Sequence, residues 1–364
     1  MKNILITAGP VHAHLDAVKI ITNRFRGGLI AELADQLLLK DAKVSYVCAS
    51  HLGIKKPFSK PNLLIYEHSG IADYRRIVLE LAPKMDAVVL GAAVANLIPL
   101  EPFRDKFPSH NFKPGDIIPI NFTIAPRIID EVKKVAPRAH LFGFKLLSNV
   151  KHEELIRAAY EVLLASGAGV VFANDTIRLM QKYAVTKERG VHPVMQQELA
   201  EWVWQMVNDE YYHTHLVDEQ AISENAQSQI RNSMNQFSSK FKAVENGIVF
   251  GTIAIRHKSG FLTTGRGKRE LDTLVNVLGV DHERREVVVA GLMKASLNAP
   301  LLAKIFENSE VDSIVHYHQQ ESGLPTLLYA PPGTARDTNR RNDISFNIKG
   351  HGCMLLFNKD GRRL

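Results

Sequence analysis

Cysteine is almost missing from this chain: Cys48 and Cys353 are the two in 364 residues, and they stand far apart. A disulfide framework is thereby excluded. Because no signal-like segment precedes the strand-like run Ile4-Leu5-Ile6, a reducing, cytoplasmic setting is expected. Aromatic residues are few as well, at 7%. None is interleaved with the densest basic groups (Arg336, Arg340, Arg341 and Arg362, Arg363), so the stacking platform of a nucleic-acid surface is lacking despite a formal net charge of +7. A mild positive excess instead suits an enzyme of phosphorylated substrates. Apolar runs are short, and none nears the roughly 20 residues of a membrane span. What is present is ordinary for a globular protein, 45% apolar and 23% charged residues, in a length that suits two domains.

The first half alternates strand-like and helix-like stretches. Residues 4–7 read as a strand, 28–40 as a helix with Leu29, Leu33 and Leu37 on one face, and 44–48 as a second strand. Strands at 63–66, 87–90, 141–144 and 170–173 and helices at 74–82, 128–135 and 152–166 continue the series. Parallel strands need such crossover helices, so a doubly wound, mostly parallel, Rossmann-like α/β fold is expected. Ligands of that fold bind beyond the carboxyl ends of the strands, where backbone amides and helix N-termini converge. Here those ends are Thr7-Ala8-Gly9, residues 91–96, Gly143-Phe144-Lys145 and Asn174-Asp175, with Gly27-Gly28 opening the first helix. A helix over 195–212, holding Trp202 and Trp204, is expected to close the domain.

Ile6-Thr7-Ala8-Gly9, Leu15-Asp16-Ala17-Val18-Lys19 and Ile21-Thr22-Asn23-Arg24 resemble the opening of phosphopantothenoylcysteine synthetase, the cysteine ligase of coenzyme A synthesis. Ala92-Ala93-Val94-Ala95-Asn96, Gly143-Phe144-Lys145 and Phe172-Ala173-Asn174-Asp175-Thr176 follow in that family's order, and the resemblance covers roughly residues 1–205. It implies that a carboxylate is activated with CTP or ATP and Mg²⁺ to an acyl nucleotidylate, which an amine then attacks. It also implies that Asn23 contacts the activated acyl group, with Lys19 standing where an arginine is usual. Nucleotide or phosphate contacts are implied for Gly9, Gly27, Gly28, Ala93, Asn96, Phe144 and Asn174. Three departures stand out: Phe25-Arg26-Gly27-Gly28 replaces a Ser-Ser-Gly-Lys loop, Asn96 replaces an acidic residue that helps read the base, and residues 152–165, where the family usually offers lysines, contain only Arg157 as a cation.

Residues 213–227 are polar and read as a linker, and 228–241 reads as an amphipathic helix opening a second domain. Short strands follow at 248–256, 261–263, 286–289, 313–316, 326–329 and 353–357, with one helix at 300–307. In Val315-His316-Tyr317-His318, alternation along a strand puts His316 and His318 on one face. With His351 of Gly350-His351-Gly352 as a third nitrogen ligand, this would describe an open catalytic zinc site. Two solvated polar residues at a strand end are the plainer alternative.

Gly251-Thr252-Ile253-Ala254-Ile255-Arg256, Leu262-Thr263-Thr264-Gly265-Arg266-Gly267, Ser296-Leu297-Asn298, the paired histidines, Tyr329-Ala330-Pro331-Pro332-Gly333-Thr334 and Gly350-His351-Gly352 look like the successive motifs of the class II aldolase/adducin family. That resemblance implies an α/β/α domain. It implies Zn²⁺ on His316, His318 and His351 acting as a Lewis acid toward a small sugar phosphate, with phosphate contacts from Thr252, Gly267 and Ser296. Asn298 departs from it, since the family usually has a glutamate there to move the proton, and an amide cannot do that. Glu307 and Asp343 are further acids to which no motif gives a role.

These expectations describe a nucleotide-binding, ligase-like domain over 1–212 fused to a metal-binding domain over 228–364. The chain would join a small carboxylate to an amine, and its second domain would act on a small phosphorylated metabolite. Two alternatives fit the same residues: a metal-dependent lyase, dehydratase or epimerase with a degenerate ligase domain, or a non-catalytic binding protein. Both resemblances imply a homo-oligomer, and neither a membrane nor a nucleic acid is expected as partner.

Overall fold

Strands of the first half find parallel partners because the central ones are apolar on both faces and each is followed by a stretch long enough to cross back over the sheet. The computed structural model describes every residue except 51–52, 219, 242–246 and 270–272. It resolves two compact units, Met1–Lys187 with Pro193–Val207, and Glu188–His192 with Asn208–Leu364.

The first unit is built on an eight-stranded sheet. Six strands run parallel: Asn3–Thr7, Lys43–Ala49, Leu63–His68, Ala87–Leu90, His140–Leu147 and Val170–Asp175. Counted along the chain, their spatial order is 3-2-1-4-5-6. That is the order of a doubly wound dinucleotide-binding sheet, and it reverses between Asn3–Thr7 and Ala87–Leu90. Lys182–Thr186 adds an antiparallel strand, with Val191–Val194 beyond it. Helices cover both faces. Gly28–Leu39 and Leu199–Asn208 bury Leu33, Leu37 and Val203 with Ile4, Ile6 and Tyr46. On the other face Ile71–Leu81, Ile129–Val135 and His152–Ser166 bury Ile77, Val132 and Leu163 with Leu5, Val88 and Val171. Each such aliphatic side chain contributes roughly 1.5–3 kcal/mol by leaving water.

The closing helix is shorter than its expected 195–212: a 3-10 turn, Gln196–Glu198, leads into Leu199–Asn208. Beyond it the chain is captured by other bonds, since Arg336 holds Asp209 by two hydrogen bonds of 2.8 and 2.7 Å and Tyr212 N donates to Gly333 O.

In the second unit nine strands are ordered His213–Val217, Glu286–Ala290, Leu274–Asp281, Gly260–Thr264, Thr252–His257, Ser313–Tyr317, Gly352–Phe357, Phe346–Ile348 and Thr326–Leu327. The pairs at the two edges are parallel and those between are antiparallel. Side chains alternate with the strand period. In Thr252–His257, Ala254 joins the core under the helix Ala299–Phe306, while Ile253 and Ile255 join the core under Glu224–Phe237.

The linker expected at 213–227 is corrected by this arrangement. His213–Val217 is an edge strand of the sheet, and the helix begins within the span at Glu224, its N-cap Ser223 accepting from Ala226 N. Both are polar because an edge strand and the outer face of a first helical turn meet water, which composition cannot tell from a linker. No helix among the described residues is long and apolar enough to cross a membrane.

Candidate functional site

Where the first sheet reverses its order, the chain leaves Asn3–Thr7 through Ala8-Gly9 and leaves Ala87–Leu90 through residues 91–96. The two exits stay together: Pro10–Val11 pairs in parallel with Ala93–Val94, and Ala93 N donates to Gly9 O at 2.8 Å. Beneath them Thr7 Oγ1 accepts from Tyr74 Oη at 3.0 Å and from Ala92 N at 3.2 Å. Asn23 Nδ2 donates to Ala93 O at 2.9 Å, which joins the motif Ile21-Thr22-Asn23-Arg24 to Ala92-Ala93-Val94-Ala95-Asn96. Gly27 stands at the N-cap of Gly28–Leu39 with φ of 78°, and a Cβ there would lie 2.8 Å from Gly9 N. Only glycine meets both demands, and a helix N-terminus brought this close to a second glycine loop suits an anion.

Four of the predicted residues, Gly9, Asn23, Gly27 and Ala93, are therefore brought together, with Gly28 opening the helix. Phe144 and Asn174 stand toward the same carboxyl edge on neighbouring strands, Phe144 against Phe172 with ring centroids 5.3 Å apart. Asn96 is exposed past the second exit. Lys19 is engaged elsewhere. Its ammonium bonds Asp16 Oδ2 at 3.0 Å, and the buried Asp16 also accepts from the amides of Lys19, Val18 and Phe107. These bonds, the Lys19 amide first, hold the Asp16 carboxyl well below the usual carboxylate range. This pairing fastens the turn over residues 16–19.

The second unit gathers side chains instead. His316 is the penultimate residue of the strand Ser313–Tyr317, His318 follows just past its end on the same face, and His351 arrives between two glycines. Gly352 has φ of 127°, and a Cβ on it would stand 2.0 Å from Tyr317 O. This close approach seats His351 on the paired histidines. Ring centroids lie 5.1 Å apart for His316–His318, 5.1 Å for His316–His351 and 4.5 Å for His318–His351. One nitrogen from each lies within 4.8 Å of the others, a spacing that could hold a metal ion.

The donor set fits a divalent ion. His316 Nδ1 donates to Cys353 O at 2.8 Å, which fixes the tautomer and leaves Nε2 as a bare lone pair. That Nε2 and both nitrogens of His351 are buried without hydrogen-bond partners, a costly state unless something binds there. Burial lowers the His316 pKa to about 4, and burial together with the neighbouring rings takes His318 and His351 well below their ordinary value. All three are neutral near pH 7, the form that ligates.

A cavity of about 210 Å³ opens beside them. Thr252 Oγ1 and Ser296 Oγ share a 2.7 Å hydrogen bond on its wall. The buried Asn298 donates from its backbone N to Ser296 Oγ at 3.3 Å, while its Oδ1 has no partner. Gly267 lines the cavity with Arg266 and Lys268. Lys268 donates to Gly251 O, and burial lowers its pKa to about 8; Arg266 is lowered for the same reason. Glu307 and Asp343 take no part, being paired with Lys304 and Arg341. Sequence reasoning missed Lys268, although it lies one residue past a quoted motif, and missed Glu188, which also lines the cavity and carries no motif.

A doubly wound sheet with a glycine cradle at its switch point defines the nucleotide-binding α/β class. The profile of the DNA/pantothenate metabolism flavoprotein C-terminal domain family matches residues 1–219, and the chain belongs to that family. Coenzyme A biosynthesis bifunctional protein CoaBC of Thermococcus kodakarensis is 30% identical over 178 residues, 48% of this chain and 41% of that protein. The chain thus spans less than half of that relative's length. The DNA/pantothenate metabolism flavoprotein of Streptococcus pneumoniae superposes with a TM-score of 0.51 at 24% identity, over 57% of this chain and 98% of its own, a likeness of fold. L-fuculose-1-phosphate aldolase of Thermus thermophilus covers 37% of this chain and 80% of its own at 14% identity, and its TM-score of 0.26 carries no argument about the second unit.

Proposed function

We propose that the first unit is a nucleotide-dependent carboxylate–amine ligase of the phosphopantothenoylcysteine synthetase type, and that the second is a zinc-binding unit acting on a small phosphorylated metabolite. The observation that supports the ligase reading most is the Asn23–Ala93 bond beside the Gly9–Gly27 contact, at the switch point of a sheet whose family is shown. A triphosphate would rest on the amides at Gly27-Gly28, and Mg²⁺ with CTP or ATP would supply charge neutralisation when bound. Asn23 spends one N–H on Ala93 O and keeps a second. That second donor would meet an acyl carbonyl oxygen, where negative charge gathers as the amine attacks. Asn96 and Phe144 would border the base, and Asn174 the remainder of the nucleotide. The experiment is pyrophosphate release with Mg²⁺, each nucleotide and a panel of small acids with cysteine and other amines. Silence across the panel would sink the ligase reading.

For the second unit the supporting observation is the set of orphaned imidazole nitrogens on His316 and His351. Zinc, when bound, would supply Lewis-acid polarisation of a carbonyl. The chain's own groups would hold the rest of the ligand: the Thr252 and Ser296 hydroxyls, the Gly267 amide and the Arg266 and Lys268 cations for a phosphate, and Asn298 Oδ1 for a substrate hydroxyl. Zinc content of the purified protein against His316→Ala tests this reading, which fails if the variant carries as much zinc.

A further inference from the structure

Polarising a carbonyl is useful when something nearby moves a proton, and Asn298 has no proton-accepting chemistry at neutral pH. We propose that Glu188 is the proton-transfer group of the histidine cavity, an inference that rests on the metal-dependent reading of the second unit. Among the described residues lining the cavity, Glu188 is the sole carboxylate. It comes from a segment far upstream, Glu188–His192, which nevertheless belongs to the second unit.

Three observations show that its place there is built. Val191 N donates to Gly350 O at 3.0 Å, tying the segment to the residue next to His351. The His192 ring lies on Tyr329 with centroids 4.1 Å apart, and Tyr329 in turn stands 5.6 Å from the His351 ring. Tyr329 Oη donates to Glu188 Oε2 at 3.2 Å, which orients the carboxylate and leaves it a second oxygen. Next to Glu188, Arg189 takes a left-handed backbone with φ of 59°. A non-glycine residue there costs about 1 kcal/mol, the kind of strain that clusters at functional sites.

The chemistry assigned to Glu188 is removal of a proton from the carbon beside a carbonyl. The C–H electron pair becomes the C=C bond of an enediol(ate), the carbonyl π pair moves to its oxygen, and the proton passes to Glu188, which becomes a carboxylic acid. Return of a proton to the same carbon restores the carboxylate, so no oxidant, reductant or second substrate is consumed. Tyr329 is a positioning residue in this scheme.

The test compares the zinc-loaded wild type, Glu188→Gln and Tyr329→Phe with dihydroxyacetone phosphate in D₂O, following deuterium entry at carbon by NMR. Zinc content and the affinity for phosphoglycolohydroxamate, a mimic of the enediolate that needs no proton transfer, are measured on the same samples. We expect Glu188→Gln to keep its zinc and to bind the hydroxamate within about threefold of wild type while exchange falls about a hundredfold or more, the usual scale of general acid–base catalysis. Tyr329→Phe should retain zinc and lose roughly tenfold in exchange by loosening the carboxylate. Equal exchange in wild type and Glu188→Gln overturns the inference alone, as does a wild type that binds zinc and the hydroxamate yet exchanges nothing. A wild type that binds neither overturns the metal reading, and the inference with it.

Discussion

At the switch point of the first sheet the groups brought together are mostly main chain: amides around Gly9 and Gly27, the carbonyl of Ala93 and one side-chain amide, Asn23. The cavity of the second unit is lined by side chains: three imidazoles, two hydroxyls, the buried Lys268 ammonium, the Arg266 guanidinium and a carboxylate. Main-chain groups are present whatever the residue, so the first site should tolerate side-chain changes and be sensitive to an added Cβ. The second should show the reverse at its ligands and share that sensitivity only where a glycine delivers one of them.

The largest effect expected breaks this comparison at Gly352. With φ of 127° and a Cβ position 2.0 Å from Tyr317 O, Gly352→Ala should cost about 3 kcal/mol or more, since neither backbone can yield cheaply. Calorimetry should show a transition lowered by about 10 °C. Next comes Asn23→Ala, which removes the side chain proposed to meet the acyl group. Pyrophosphate release should fall about a hundredfold, as when a donor to developing charge is lost, and a loss within threefold would remove Asn23 from the chemistry. Gly27→Ala should weaken nucleotide binding about tenfold, measured by titration calorimetry, as the added methyl pushes the helix N-terminus from Gly9.

A smaller effect sharpens the electrostatic side. The folded protein holds His316 near pKa 4 against an ordinary 6.5. Below that ordinary value the unfolded chain binds a proton that the folded one refuses, so metal-free protein should lose stability as pH falls from 6.5 toward 4 and show little dependence above 7. The unfolding midpoint of the apo protein across that range should drop by several degrees, and less in His316→Asn. The smallest effect is expected for Lys19→Gln. Its partner Asp16 keeps three backbone amides, so stability should change by about 0.5 kcal/mol or less in urea melts, as for exposed ion pairs.

Much of this was legible because periodicity and motif spacing act locally. The strand at residues 4–7 and the shared face of His316 and His318 follow from the two-residue alternation of a strand, the helix with Leu33 and Leu37 inward from the 3.6-residue period, and the structure shows them. His351 was legible as a candidate through the two glycines beside it, whose need appears only when Gly352 is seen against Tyr317 O. His213–Val217 was not legible, because an edge strand with exposed His213 and His215 has the composition of a linker. The pairing of Lys19 with a neighbour three residues away was not legible, because spacing alone did not reveal it. Glu188 was beyond reach for a different reason: a short turn inserted late in the first half carries no periodicity, and its place in the cavity depends on a tertiary bond to Gly350.

The central claim is that the side-chain site holds a metal and that the backbone site works apart from it. Zinc stoichiometry by inductively coupled plasma mass spectrometry, on wild type, His351→Ala and Gly27→Ala, tests it most directly. The account predicts about one zinc per chain in wild type and in Gly27→Ala and less than about a tenth of that in His351→Ala. Zinc retained in full by His351→Ala, or lacking in a wild type given excess metal, would contradict it.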